Sequence, residues 1–572
     1  MNLPQRTTVS APSRSPSSAL SPSLRRVPGL AFVAVVLALP GVTAQAQGAS
    51  APTASESTAP ALPRELGKPE DDLSLDVTTY EVDGLAEASR ETLAALTAPY
   101  TGKGRTYEDL VNATTAVTRY MQSELGYYVG FAYLPEQSPQ GGVIRLQALE
   151  GRLARVDVRW PEGPLPVQRS VVERYLATLQ PGAILRVNEV ERVALLVNDL
   201  QGISARFEIE AGAEPGTAVL VVTPRAEQRV RGRVDLDTLG SRYTGLVRLS
   251  GQLTVASPLG WGDALSVNLL ASHNGGVVQG GIAYAAPVGT QGLKLGAALS
   301  KIEYQIDKDA YPTDLDGHAV AGSVYALYPF VRSRNVNVFG LGSLEHKRFT
   351  DDQSGVSYSR KHSDDLQIGV IGDFRDSLGG GAINTFESHW LHGRISFDTD
   401  SLPAGYKRNY DKLTLGYSRL QNVVSNRLQF YARYKGQISG TNLDITERFA
   451  VGGPLSVRAF APGVASADTG HVVTAELRLL PPETWFGRFS REFVFSAFYD
   501  WGQAKFSHDP DLRPVGLENT ATLSAYGLGV VWERPSDISL RMHLAWRGAG
   551  DQWVDSRERQ QPRVNAVLSK SF

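Results

Sequence analysis

The sequence predicts an α+β N-terminal part followed by an all-β transmembrane barrel of about 16 antiparallel strands. Three observations carry that prediction: a secretory address at the N-terminus, two successive β-α-α-β-β units, and a long C-terminal part in which apolar and polar residues alternate along strand after strand.

The address comes first. Arg6, Arg14, Arg25 and Arg26 precede the apolar run GLAFVAVVLAL (29–39), and Pro40 and the small-residue sequence Ala44-Gln45-Ala46 follow it. A basic start, a short apolar core and an A-x-A site form a secretory signal peptide, expected over 1–46. The run is too short to cross a bilayer of ~30 Å as a helix, and no later stretch reaches ~18 uninterrupted apolar residues. A membrane-embedded mature chain therefore crosses with strands. Residues 47–72 are rich in Ala, Ser, Pro and charge without an apolar face, and read as a flexible leader or linker.

From 73 to about 226 one order occurs twice. SLDVTTYEVDG reads as a strand, EASRETLAALTA and TYEDLVNATTAVTRYMQSELG as helices, and YVGFAYLP and GVIRLQALEG as strands. In the second helix Leu110, Ala113, Val117, Tyr120, Met121 and Leu125 recur at three-to-four spacing, one buried face, with Thr106 as cap and Asp109 in the first turn. Then LARVDVRW is a strand, VQRSVVERYLATLQ and VNEVERVALLVNDLQ are helical, and SARFEIEA and TAVLVVTPR are strands. The units are expected over 73–151 and 152–226, each a sheet covered on one face by helices, whose free edge can accept an extended peptide.

Residues 227–572 show almost no helical periodicity. Along 427–438, Leu428, Phe430, Ala432, Tyr434 and Ile438 oppose Arg427, Gln429, Tyr431, Arg433, Lys435 and Gln437. Val473, Ala475, Leu477 and Leu479 oppose Thr474, Glu476 and Arg478; Phe493, Phe495, Ala497, Tyr499 and Trp501 oppose Glu492, Ser496 and Asp500. Those polar faces are too charged for the interior of a soluble sandwich, whereas a barrel with a lipid-facing outside and a wet lumen needs them. Strand starts are expected near 230, 244, 263, 277, 293, 318, 335, 363, 382, 411, 426, 470, 492, 521, 539 and 563. The chain ends RVNAVLSKSF, with Val564, Ala566, Leu568 and Phe572 on one face and Lys570 breaking it near the rim, where a lysine can snorkel. A last strand ending in Phe572 resembles the signal read by the machinery that inserts outer-membrane barrels.

Composition removes other functions. No cysteine is present, which excludes disulfides, thiol catalysis and thiolate zinc sites; the net charge of −2 gives no basis for nucleic-acid binding. No GxxxxGK[ST] phosphate loop occurs, and Gly452-Gly453 is a turn signal. His389 and His392 fall on opposite faces of a strand, which argues against a shared metal. Neither an enzyme nor a cofactor is expected.

One stretch stands apart. GGPLSVRAFAPG (452–463) places a single arginine in a neutral, glycine-rich connection between two strands. With LGYYVGFAYLPEQSPQGGVIRLQALEGRLARVDV (125–158), which carries a GY, a P-x-Q and an EGR, and with FYDWG (498–502), it makes the mature chain resemble a TpsB transporter of two-partner secretion, the haemolysin secretion/activation class typified by ShlB, FhaC and HecB. The resemblance implies that the two units are POTRA domains and that the loop around 450–469, whose motif is VRGY in the family, folds back into the barrel. Its arginine pairs there with the aspartate of the later strand motif; on matching positions these are Arg458 and Asp500. Alternation independently puts Asp500 on the lumen face, and a guanidinium fork suits a carboxylate. In a wet pore such a pair is expected to contribute ~1–3 kcal/mol. Gly452, Gly453, Pro454 and Val457 complete the loop motif, while the family's glycine is Ala459 and its tyrosine Phe460. Alanine costs roughly 1 kcal/mol there if the backbone requires positive φ.

The implied function is recognition of an unfolded TpsA-like exoprotein by the POTRA domains in the periplasm and its export, as a haemolysin- or adhesin-type cargo, through the barrel in the outer membrane. The implied partners are that exoprotein, the barrel assembly machinery and periplasmic chaperones during biogenesis, and outer-membrane lipid; the chain is expected to be a monomer. The rival readings are an assembly insertase of the same superfamily and a passive porin.

Overall fold

A computed structural model describes residues 66, 74–309, 313–398, 405, 407–425, 427–512, 517–534, 537–554 and 560–572. The expected signal peptide, and the expected leader apart from Leu66, lie outside the described residues.

In the first unit, α1 (Arg90–Thr97) and α2 (Tyr107–Ser123) cover a sheet in which Thr79–Asp83 runs parallel to Val143–Leu149 and Phe131–Tyr133 pairs with the latter antiparallel. Thr106 and Asp109 form a reciprocal capping box that satisfies N–H groups a helix start leaves orphaned. Leu110, Ala113, Val117 and Met121 are buried, as the spacing predicts. SLDVTTYEVDG is not one strand. Thr78 N donates to Gly142 O, breaking the run, and Ser74–Val77 leaves to pair with Gly102–Thr106. Positive φ at Gly102 and Gly104 shapes that extra strand, and Gly104 N donates to the Asp76 carboxylate.

The second unit repeats the arrangement. Arg152–Val158 lies parallel to Thr217–Ala226, which pairs antiparallel with Ile203–Ala211. Helices α3 (Arg169–Leu176) and α4 (Val187–Asn198) close over Phe207, Ile209, Leu220 and Val222. Arg186 ties the units together, donating to both oxygens of Glu87 at 2.6 and 2.8 Å and to Leu125 O at 2.9 Å. That guanidinium holds the Glu87 carboxyl below its ordinary value of 4.5. A depressed carboxylate stabilises the contact above the ordinary value and loses it as pH falls through the lowered one. Both side chains are partly exposed, so the effect is small. The protection factors of the Tyr128 and Val187 amides, which bond across this joint, are expected to fall on acidification, and at neutral pH in Glu87→Gln.

The barrel strands are Val230–Asp237 (β1), Arg248–Ala256 (β2), Ala264–Ser272 (β3), Val277–Val288 (β4), Leu293–Gln305 (β5), Leu315–Arg332 (β6), Val336–Gln353 (β7) and Val356–Asp376 (β8). They continue as Ala382–Phe397 (β9), Asn409–Val424 (β10), Leu428–Ser439 (β11), Thr469–Leu479 (β12), Phe493–Lys505 (β13), Thr520–Glu533 (β14), Ile538–Arg547 (β15) and Arg563–Ser571 (β16). Each pairs antiparallel with its neighbours, and β16 closes on β1, making a 16-strand cylinder without a free edge. Each strand begins within seven residues of its expected start, β8 showing the largest displacement.

Leu269, Leu299, Val324, Leu344, Ile368 and Leu528 point outward and exposed, while Ser300, Ser323, Lys347, Ser363, Asp365 and Gln437 are buried inside. Exposed to water, such aliphatic surface would cost about 25 cal/mol per Å²; in hydrocarbon it costs nothing. Lys570 pairs with Asp537 at the rim. Phe572 extends the closing ladder, exchanging backbone hydrogen bonds of 2.8 and 2.9 Å with Gly232.

The second unit docks on the barrel rim. Gln168 N donates to Gly260 O and Gln201 N to Gly262 O, in the turn after β2. Arg192 reaches Gln291 O after β4 and Pro329 O near the end of β6. Arg332, buried at that end, grips Asp199 with bonds of 2.7 and 2.9 Å, and Arg334 pairs with Glu191 at 3.3 Å.

Candidate functional site: an inward loop clamped on two walls

Between β11 and β12 the chain leaves the rim opposite the N-terminal units and turns into the lumen over 440–468, starting ahead of the expected 450. It carries a short hairpin, Phe449–Val451 against Ala465–Ala467, and the expected motif forms its tip. Gly452 and Gly453 adopt φ of +101° and +118°, which only glycine takes without strain, and turn the chain toward the β13 wall. Ser456 Oγ accepts from Gly452 N, and Arg433 from β11 reaches Leu455 O at 2.6 Å, past the half-buried Pro454. Ala459 has no positive φ, so alanine at this position carries no backbone strain. Phe460 is buried in the apolar cluster that also holds Leu523 and the loop's own Val457.

Arg458 meets Asp500. Its Nε donates to Asp500 Oδ2 at 2.8 Å, its Nη2 to Oδ1 at 2.9 Å, and its backbone N to Oδ2 at 3.1 Å. Three further contacts, none of them singled out by the sequence, complete the set. Nη1 donates to Glu476 Oε2 at 3.0 Å, the guanidinium lies 3.3 Å from the Phe498 ring centroid, and Asn565 Nδ2 donates to Arg458 O. Thr474, directly opposite Asp500 in the β12–β13 register, donates to Asp500 Oδ1, and Arg478 donates to Glu476 Oε1. Two guanidinium groups thus face two carboxylates. Arg458 is 5 % exposed, Glu476 8 % and Asp500 0 %. The pair is dry rather than wet, because the loop itself fills this part of the lumen with Val451, Val457 and Phe460. Desolvation offsets much of the attraction in a buried pair, but removing one partner leaves an uncompensated buried charge and costs about 3–5 kcal/mol.

Alternation had placed Thr474, Glu476 and Arg478 on the lumen face, so the signal for Glu476 was present; nothing in the sequence set its partner. The glycine of FYDWG has a role of the same kind. A Cβ at Gly502 would meet Val451 Cγ1 at 2.6 Å and Val457 Cγ2 at 2.9 Å. Gly502→Val is expected to push the loop off the wall, seen as faster proteolysis between 449 and 467, while the barrel stays closed; Gly502→Ala should do so more weakly.

The wall formed by β7, β8 and β10, about a quarter turn round the cylinder, holds the root of the loop. Glu447 accepts from Lys347 of β7 at 2.7 Å and from Lys412 of β10 at 2.8 Å. Lys347 also pairs with Asp365 of β8 at 2.7 Å, and Tyr410 donates to the same carboxylate at 2.6 Å. Lys361 donates to Asp444 at 2.8 Å. At the loop's far end Asp468 accepts from Leu443 N and His508 N and pairs with Arg448 at 3.2 Å. Lys347, Lys412, Asp365, Glu447 and Asp468 are all buried. On β9, His389 lies 3.9 Å from Glu387 on the lumen face, while His392 points out and pairs with Asp411 at 3.0 Å. Among the described residues no group of His, Cys, Asp and Glu is arranged to hold a metal ion.

A lipid-facing cylinder carrying small α+β units at one mouth and a clamped loop in its lumen defines a transporter of the outer-membrane barrel class. The chain belongs to the haemolysin secretion/activation protein ShlB/FhaC/HecB family, whose model matches residues 216–529; a ShlB-type POTRA domain model matches 75–151. A curated relative, the heme/hemopexin transporter protein HuxB of Haemophilus influenzae strain 86-028NP, is 24% identical over 466 residues, covering 80% of this chain and 81% of its own. The outer membrane transporter CdiB of Escherichia coli strain 536 is 24% identical, over 70% of this chain and 68% of that one. The solved structure of CdiB from Escherichia coli superposes with a TM-score of 0.68 at 19% identity, covering 89% of this chain and 92% of that one. This chain is accordingly an outer-membrane two-partner secretion transporter that exports a TpsA-like protein, with POTRA structure on the periplasmic side. The family is one of secretion proteins, which is not an enzyme class.

Proposed function

We propose that both N-terminal units, 73–151 and 152–226, act as POTRA domains that bind an unfolded haemolysin- or adhesin-type exoprotein, and that the barrel over 227–572 exports it past the inward loop. The observation that carries this reading is the loop: buried ion pairs hold it inside the lumen on two walls, which suits a pore that opens for a specific chain and does not suit free diffusion. An unfolded segment can add to a free sheet edge, such as Ile203–Ala211 beyond Ala205, through backbone hydrogen bonds. Export needs no catalysis by this chain; folding of the cargo outside supplies direction. Arg458 and Asp500 act as the loop–barrel lock, with Gly452, Gly453, Pro454, Val457, Ala459 and Phe460 shaping the tip. Phe572 and the last strand serve recognition by the barrel assembly machinery, which periplasmic chaperones supply, and the finished transporter works as a monomer.

Deleting 73–226, with barrel abundance in the outer membrane as control, is expected to abolish secretion of the partner. Continued export by that variant would overturn the reading and favour a passive porin.

A further inference from the structure

The turns on the POTRA side of the barrel differ in one place. Six of them hold three to seven residues, whereas the turn between β12 and β13 holds thirteen, 480–492. It is ordered from within: Ser490 Oγ donates to Pro482 O at 2.8 Å and accepts from Phe486 N at 3.2 Å, and Ser490 is buried. That internal scaffold leaves Trp485, Phe486 and Phe489 exposed, three large apolar side chains at the water side of a membrane protein.

Their neighbours say what covers them. The Phe486 ring lies 5.2 Å from that of Phe493 and 6.1 Å from that of Phe495, the first outward-facing residues of β13. The exposed patch thus continues the lipid-facing wall without a break. Arg488 stacks on Phe489 at 4.9 Å, and Arg491 pairs with Glu483 at 2.8 Å. A shallow cavity is lined by Glu483, Thr484, Gly487, Arg488 and Arg491. On the adjoining turns Arg427 donates to Pro481 O and Arg534 lies near Glu492, so four arginines face two glutamates. Aromatic rings beside arginines at the end of an apolar wall match the boundary between acyl chains and phosphate headgroups.

We propose that 480–492 is a membrane foot: Trp485, Phe486 and Phe489 lie among the acyl chains of the inner leaflet of the outer membrane, and Arg488 and Arg491 bind the phosphates of anionic phospholipid. The foot belongs to the β12–β13 hairpin, the same hairpin that carries Thr474, Glu476, Phe498 and Asp500.

The test uses the full protein in vesicles of phosphatidylethanolamine and phosphatidylglycerol with brominated acyl chains. Subtracting the emission of Trp485→Phe from that of the wild type isolates Trp485. Its component should be quenched about twofold more strongly by bromines near the headgroup end of the chain than by bromines near the chain end. Placing the bromines on phosphatidylglycerol should quench it more than placing them on phosphatidylethanolamine, and Arg488→Gln with Arg491→Gln should remove that preference. A Trp485 component untouched by bromolipid and freely quenched by acrylamide would overturn the proposal, and is the result expected if a periplasmic protein covers the patch. Equal quenching by the two lipids in the wild type would overturn the assignment of the arginines.

Discussion

Arg458→Ala is expected to release the loop tip and stop secretion of the partner while the barrel stays folded. The substitution strands Asp500, fully buried, without a cation and leaves Glu476 with Arg478 alone. The cost of about 3–5 kcal/mol is relieved most easily by letting water in, which means moving the loop, because the 16-strand ladder does not depend on it. Amide exchange over 453–460 should accelerate, and detergent-resistant migration of the folded barrel should not change. Arg458→Lys should lose most of the effect too, since an ammonium is a point charge and cannot bridge both carboxylates. The reciprocal exchange, Arg458→Asp with Asp500→Arg, is expected to fail. The new carboxylate would face Glu476, and the Arg458 amide, which donates to Asp500 in the native loop, would lose its acceptor. Restored secretion in that double variant would show that Glu476 contributes nothing to the lock.

Glu447→Ala should open the other end. It removes the carboxylate shared by Lys347 and Lys412; Lys347 keeps Asp365, but Lys412 is left with a backbone carbonyl. An uncompensated buried ammonium costs on the order of 3 kcal/mol. The expected readouts are cleavage within 440–449 and a larger single-channel conductance in planar bilayers, with the tip still protected by Arg458. The two clamps lie on different walls and share no partner, so their costs should add within about 0.5 kcal/mol when combined. Unchanged conductance in Glu447→Ala would mean that the root of the loop does not obstruct the lumen.

The alternation of period two made the barrel legible, because one face of every strand meets lipid and the other does not. Even β9, whose alternation is weak over 382–397, kept its place, since its neighbours on both sides bracket it. The split of SLDVTTYEVDG was not legible: Thr78 looks like any strand residue, and the break depends on Gly142, distant in sequence. Within the site, the family motifs pointed to Arg458 and Asp500, and alternation put Asp500 on the correct face. Glu447 was hidden for a different reason. Lys347, Lys361 and Lys412 read as ordinary residues of a charged lumen, and only closure of the cylinder brings them beside a loop that leaves from β11. The burial of the lock, and so the cost of breaking it, was also underread, because the water expected in the pore is displaced by the loop's own Val451, Val457 and Phe460.

The docking of the second unit makes the inner mouth lopsided. Among the described residues its hydrogen bonds and ion pairs fall on the arc from β1 to β7, through Gly260, Gln291, Pro329, Arg332 and Arg334. The remaining arc carries no such shelter. A passenger handed over by this unit must come in off-axis, along the unshaded half of the opening, and its first encounter above is with the wall to which Arg458 is moored.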